Sequence, residues 1–178
     1  GSRILDVGCG DGQLMAALRD EKQVDARGLE LDPRDVATAV ARGLPVIQGD
    51  ADTDLAEYPD GSFDYAILSQ TLQTTKRPDL VLDHLLRIGR EAFVSFPNFA
   101  QWRIRLALMF GGTMPVTRQL PDRWYDTPNI RVGTHADLAA LAQRSGLKVQ
   151  DSFGLQDGRT VRFAPNLLAG TSVYTLSR

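Results

Sequence analysis

The stretch Arg3-Ile4-Leu5-Asp6-Val7-Gly8-Cys9-Gly10-Asp11-Gly12 constrains this chain more than any other. Ile4, Leu5 and Val7 have the apolar, partly β-branched character of an interior strand, and Gly8, Gly10 and Gly12 allow backbone angles that a side chain forbids. The pattern predicts a buried strand, a tight turn over which a ligand can approach the main chain, and a helix over about 13–19 whose first N–H groups face that ligand. A dinucleotide fingerprint would place its third glycine at position 13, which is Gln13, and no Gly-Lys-Ser/Thr follows to make a phosphate loop. Asp6 ends an otherwise apolar strand, where a carboxylate without a partner is costly. It requires a cation or an N–H donor, and capping of local N–H groups is the plainer of its two uses.

Downstream, apolar runs and turn signals predict strands at 26–30, 45–48, 63–69, 92–96, 148–153 and 172–176, with helices over about 33–42, 77–88, 99–110 and 134–145. Such alternation reads as an α/β fold whose ligand crevice lies at the carboxyl ends of parallel strands. Glu30 ends the second strand about twenty positions after the turn. A carboxylate there can accept from both hydroxyls of a ribose, or stand solvated at a strand end. Ser69 and Gln70 end the fourth strand beside the turn, as contacts to a cofactor or acceptor or as ordinary loop hydrogen bonds. The acids Asp50, Asp52, Asp54 and Glu57 lack the glycine and terminal glutamate of a calcium loop, so no metal is expected. His84, among charged neighbours in mid-helix, reads as a surface residue, and His135, between Thr134 and Asp137, as part of a capped helix start.

The 178 residues, 43% hydrophobic and 24% charged, are ample for one domain with a substantial core. A net charge of −2 leaves no basic footprint for nucleic acid or an anionic membrane. Cys9 is the single cysteine, which fits a reducing compartment. With no signal peptide and no apolar run of membrane-spanning length, the expected location is the cytoplasm. The chain begins two residues before its first strand, so a natural helix upstream would fall outside it.

An insertion over about 98–133 exceeds what a minimal α/β unit needs. Phe99, Trp102, Leu106 and Met109 recur at helical spacing, Gly111-Gly112 stops the pattern, and a long irregular segment over 114–129 follows. Both tryptophans, Trp102 and Trp124, lie here with Tyr125 and several arginines, Arg105 among them. The composition suits a lid or a partner surface, or else the tryptophans close the core.

The arrangement Asp6-x-Gly8-x-Gly10-x-Gly12 resembles the first motif of class I S-adenosylmethionine-dependent methyltransferases. The resemblance implies a Rossmann-like, mostly parallel seven-stranded sheet with a reversed final strand and helices on both faces. It also implies S-adenosylmethionine or S-adenosylhomocysteine as ligand, with contacts from Asp6, Gly8, Cys9, Gly10, Gly12, Glu30, Leu31, Asp50, Ala51, Ser69 and Gln70. The acid of the motif would face the methionyl amino group, and Asp50 with the N–H of Ala51 the adenine edge. An Asn/Asp-Pro-Pro-aromatic acceptor motif is missing after the fourth strand. Four stretches in order, Leu5 to Gly12, Ile67 to Gln73, Phe96-Pro97-Asn98-Phe99 with Trp102, and Leu120-Pro121 with Trp124 to Asn129, resemble the bacterial MetW family of methionine biosynthesis over nearly the whole chain. That resemblance implies a homoserine O-acyltransferase as partner. Two classes stay open: a SAM-binding partner or regulatory subunit acting through the insertion, and a working methyltransferase for a small acceptor, for which no catalytic residue is assigned.

Overall fold

In the computed structural model, eight strands among the described residues make one mixed sheet: β1 (Arg3–Val7), β2 (Asp25–Glu30), β3 (Val46–Gln48), β4 (Tyr65–Ser69), β5 (Glu91–Pro97), β6 (Lys148–Gln156), β7 (Arg159–Val161) and β8 (Thr171–Ser177). Their order is β3-β2-β1-β4-β5-β8-β6-β7. The structure describes residues 1–117 and 120–178; Arg118 and Gln119, within the segment expected to be irregular, lie outside the described residues. The first five strands pair in parallel, and the reversed final strand, β8, lies between β5 and β6, antiparallel to both. The eighth strand corrects the expected seven. β7 returns along β6 through Asp157-Gly158, whose φ values of 49° and 77° are those of a primed hairpin turn.

Helices α1 (Gln13–Lys22), α2 (Pro33–Ala41), α3 (Pro78–Ile88), α4 (Trp102–Gly111), α5 (His135–Arg144) and α6 (Pro165–Leu168) surround the sheet. Strand alternation sorts the two faces. Leu5, Val7, Leu68 and Val94 point into one core with Leu82, Leu85 and Leu138 of α3 and α5. The opposite face of β1 to β3 packs Ala26 and Val46 against Met15 of α1 and Ala39 of α2. Gly28, unusual in mid-strand, is explained there: a Cβ would come within 2.6 Å of Cys9 Sγ and 2.8 Å of both Met15 Sδ and Val46 Cγ2.

Two helix starts follow the expected chemistry. Asp32 caps α2 by accepting from the Arg34 N–H at 2.8 Å, with Pro33 in the first helical position. Thr134 and Asp137 form a capping box at α5. His135 itself is a core residue. Its Nδ1 lies 3.3 Å from Ser172 Oγ, the Tyr174 hydroxyl donates to its carbonyl at 2.6 Å, and burial lowers its pKa.

Asn98, 1% exposed, joins three segments. Its amide donates to the carbonyls of Pro165, Asn166 and Ala169, while its Oδ1 accepts from the N–H groups of Ala100 and His135. That one side chain fixes where the insertion leaves β5 relative to α5 and α6.

Candidate functional site

The carboxyl ends of β1 to β4 open onto a cavity of about 780 Å³, within the usual size range for small-molecule and cofactor sites. Of the residues expected from sequence, Gly8, Glu30, Leu31, Asp50, Ala51 and Gln70 line it; Asp6, Cys9, Gly10, Gly12 and Ser69 do not.

The three glycines of the turn all have positive φ, but they serve different ends. A Cβ on Gly8 would fall 2.2 Å from Thr71 Oγ1, so that glycine lets the loop after β4 close against the turn. A Cβ on Gly12 would strike Leu44 Cδ1 at 2.3 Å, which makes it a packing residue. At Gly10 a Cβ would meet nothing within 4 Å, and its N–H donates to Glu30 Oε2 at 2.8 Å.

Glu30 Oε1 accepts in addition from the N–H groups of Leu31 at 2.7 Å and Asp32 at 2.9 Å. Three of its roughly four acceptor positions are thus taken by main chain. Asp6 is the opposite case. It is 1% exposed, its Oδ1 is buried with no hydrogen-bond partner among the described residues, and burial together with the nearby Glu30 charge raises its pKa to about 7. Burial and the same two carboxylates push the Cys9 thiol up to about 12, so it stays protonated and unreactive near neutral pH.

Across the cavity, Asp50 accepts from the Asp52 N–H at 2.9 Å, and its own N–H donates to Asp54. Leu31, 61% exposed, and Ala51 contribute apolar surface to the same wall. Gln70 holds a left-handed backbone at φ 54°, uncommon without glycine, fixed by its N–H on the Ser95 carbonyl at 2.9 Å. Ser69 Oγ lies 3.2 Å from Ser95 Oγ, so its role is to tie β4 to β5.

Sequence reasoning missed part of this wall. Asp52, Lys76 and Pro128 also line the cavity. The Asp52 carboxylate accepts from the Lys76 N–H at 2.8 Å and from the Arg77 N–H at 3.0 Å. Pro128 comes from the insertion, and no local signal pointed from it to a site fifty residues or more away. The return limb is held where the Ile130 and Arg131 N–H groups both donate to the Gln73 carbonyl at 2.9 Å and the Arg131 guanidinium donates to the Lys76 carbonyl.

The rest of the insertion faces outward. In α4 Ile104 is buried, while Trp102 is 40% and Phe110 79% exposed; the Arg105 guanidinium donates to the Ala100 carbonyl. Trp124 and Tyr125 pack edge-to-face at 5.6 Å, 75% and 61% exposed, with Arg123 donating to the Tyr125 hydroxyl at 2.8 Å. Neither tryptophan closes the core. Leu120, 5% exposed, is the loop's inward anchor.

Among the described residues, no three His, Cys, Asp or Glu side chains are grouped to hold a metal, and no helix is long and apolar enough to cross a membrane. The fold recurs in the S-adenosylmethionine-dependent methyltransferase of Mesorhizobium loti, with a TM-score of 0.70 and 19% identity over all of this chain and 91% of that one. By sequence, the chain is 33% identical to the bifunctional methionine biosynthesis protein MetXA/MetW of Rhodopirellula baltica over its full length, and spans 31% of that relative. It is also 33% identical to a ubiquinone biosynthesis O-methyltransferase of Xylella fastidiosa, across 88% of this chain and 65% of the enzyme. The family model of methionine biosynthesis protein MetW matches residues 1–176, and this chain belongs to the MetW family.

Proposed function

We propose that this chain binds S-adenosylmethionine, or its demethylated product, in the cavity above the glycine turn, and acts as partner or regulatory subunit of a homoserine O-acyltransferase. The observation that carries the ligand assignment is the cavity wall itself. Glu30, Asp50 and an apolar flank of Leu31 and Ala51 surround a space of the right size, with Glu30 placed to accept from a ribose and Asp50 from an adenine edge under this reading. The Asp6 carboxyl, partly protonated near neutral pH and with its Oδ1 unpartnered among the described residues, would ionise beside a cation, which favours a ligand with an ammonium and a sulfonium. To accept from both ribose hydroxyls, Glu30 would release at least one of its three backbone donors, so ligand binding would reshape the turn at Gly10 or Leu31. When bound, S-adenosylmethionine supplies an electrophilic methyl group.

The partner reading rests on the Rhodopirellula relative, whose name joins MetXA and MetW in one bifunctional protein, and on the outward aromatic and arginine side chains of 98–133. Trp102, Arg105, Trp124 and Tyr125 are the contact residues under this reading.

Gly10→Val tests the ligand site. Its side chain would project into open space, while the left-handed backbone costs about 1–2 kcal/mol. The expected result by calorimetry is loss of S-adenosylmethionine binding with a melting temperature lower by only a few degrees. Undiminished binding removes the assignment.

A second reading, methyl transfer to a small acceptor, is favoured by the identity with the ubiquinone O-methyltransferase. Attack on a sulfonium methyl needs chiefly proximity and alignment, so the absence of an assigned base does not count against it. Release of S-adenosylhomocysteine in the presence of cell extract would support it, and its persistent absence would count for the binding role.

A further inference from the structure

A second cavity, of about 190 Å³, lies between α3 and α5, across the 3₁₀ turn Leu72–Thr74 from the first. Thr71 and Thr74 face the large cavity, Leu72 and Gln73 the small one. Its wall is formed by Leu72, Phe96, Leu138 and Leu141, and two arginines, Arg131 and Arg144, also line it. We infer that this cavity binds a short aliphatic carboxylic acid.

The charge pattern carries the inference. Among the described residues most arginines are matched to a carboxylate, as in Arg34–Asp32, Arg42–Asp11, Arg77–Asp79 and Arg162–Asp151. Among the described residues Arg131 and Arg144 form no such pair, nor do Arg103, Arg105 and Arg123; of these, Arg131 and Arg144 are the two that line an apolar cavity. Arg131 is held in place by its bond to the Lys76 carbonyl, and Arg144 sits one turn beyond Leu141 on the same face of α5. Asp137 lines the cavity as well, but its carboxylate accepts from the N–H and hydroxyl of Thr134 at 3.0 and 2.7 Å. An apolar wall that carries two unmatched guanidinium groups fits a hydrocarbon tail with an anionic head. The volume accommodates on the order of six to ten non-hydrogen atoms.

The test is calorimetric titration with hexanoate and with 1-hexanol. Hexanoate should bind saturably at one site, hexanol at least tenfold more weakly, and Arg144→Glu should weaken hexanoate at least tenfold. Arg144 makes no side-chain bond among the described residues, so the charge reversal should fold normally. Leu141→Trp, which fills the space while keeping both arginines, should also abolish binding. S-adenosylmethionine affinity, measured on the same variants, should be unchanged. Absence of saturable hexanoate binding, or an unaltered affinity in Arg144→Glu, overturns the inference. Equal binding of hexanol would do the same and point to an apolar side chain of a protein partner as the occupant.

Discussion

The glycine turn and the insertion treat their polar and apolar groups in opposite ways. Around the turn, Glu30 accepts from three N–H groups, Asp52 from two, and Arg42 reaches the carboxylate and carbonyl of Asp11. In the insertion, Arg103 stacks over Trp102 and Arg123 meets a phenol, and among the described residues neither forms an ion pair. A helix apolar on all sides belongs in a core, yet in α4 Met109 is 68% exposed. The difference teaches which scale of ligand each region suits. A small molecule is met by main chain and a few fixed carboxylates, whereas an open apolar and cationic surface of this extent suits a macromolecule.

The comparison breaks most visibly if the turn half tolerates added bulk. Gly28→Val would drive atoms into Cys9, Met15 and Val46, all buried, and overpacking of that kind costs about 3 kcal/mol. The expected fall in melting temperature is about 6–12 °C. A change of a degree or less would show that this half repacks as freely as the insertion.

A smaller effect comes from Asp6, whose buried Oδ1 has no hydrogen-bond partner among the described residues. Its folded-state pKa is raised from 3.8 to about 7, so the folded chain retains a proton that the unfolded chain releases. The stability this contributes is complete below the unfolded value and is lost as pH rises through about 7. Between about pH 5 and pH 8 the loss is on the order of 2 kcal/mol. Asp6→Asn should remove that slope in urea unfolding while weakening S-adenosylmethionine binding. An identical slope in variant and wild type would mean that Asp6 is paired in solution.

Much of the central fold was legible because the signals there are local. The strand-glycine-helix unit at Asp6 to Gly12, Glu30 at a strand end, the Asp32-Pro33 start of α2 and the Thr134/Asp137 start of α5 all follow from chemistry within a few residues. β7 was missed, because its three residues are too few to show alternation. What stayed hidden depends on distant partners. Nothing near Asn98 announces that it will bind the carbonyls of Pro165, Asn166 and Ala169, and nothing near Pro128 announces a cavity wall. The helical spacing of Phe99, Trp102, Leu106 and Met109 predicted a helix here, which begins at Trp102 rather than Phe99, but could not say which side is outside, because the helix has apolar residues on every side.

The smallest stability effect belongs to the exposed aromatic pair, and it sharpens the comparison most. Trp124 and Tyr125 pack chiefly on each other, so changing both to alanine should alter the unfolding free energy by no more than about 0.5 kcal/mol. If the insertion meets the proposed acyltransferase, the same double variant should lose copurification with it, since large aromatic side chains dominate interface energetics. S-adenosylmethionine binding should persist, because neither ring lines the cavity. Stability loss with intact copurification would place the pair with the core after all. Loss of copurification at unchanged stability would separate the two regions by function, one for the small ligand and one for the partner. Because Pro128 lies three residues from Tyr125 and walls the ligand cavity, the affinity of the partner should then change when S-adenosylmethionine is added, and by reciprocity the affinity for S-adenosylmethionine should change by the same factor.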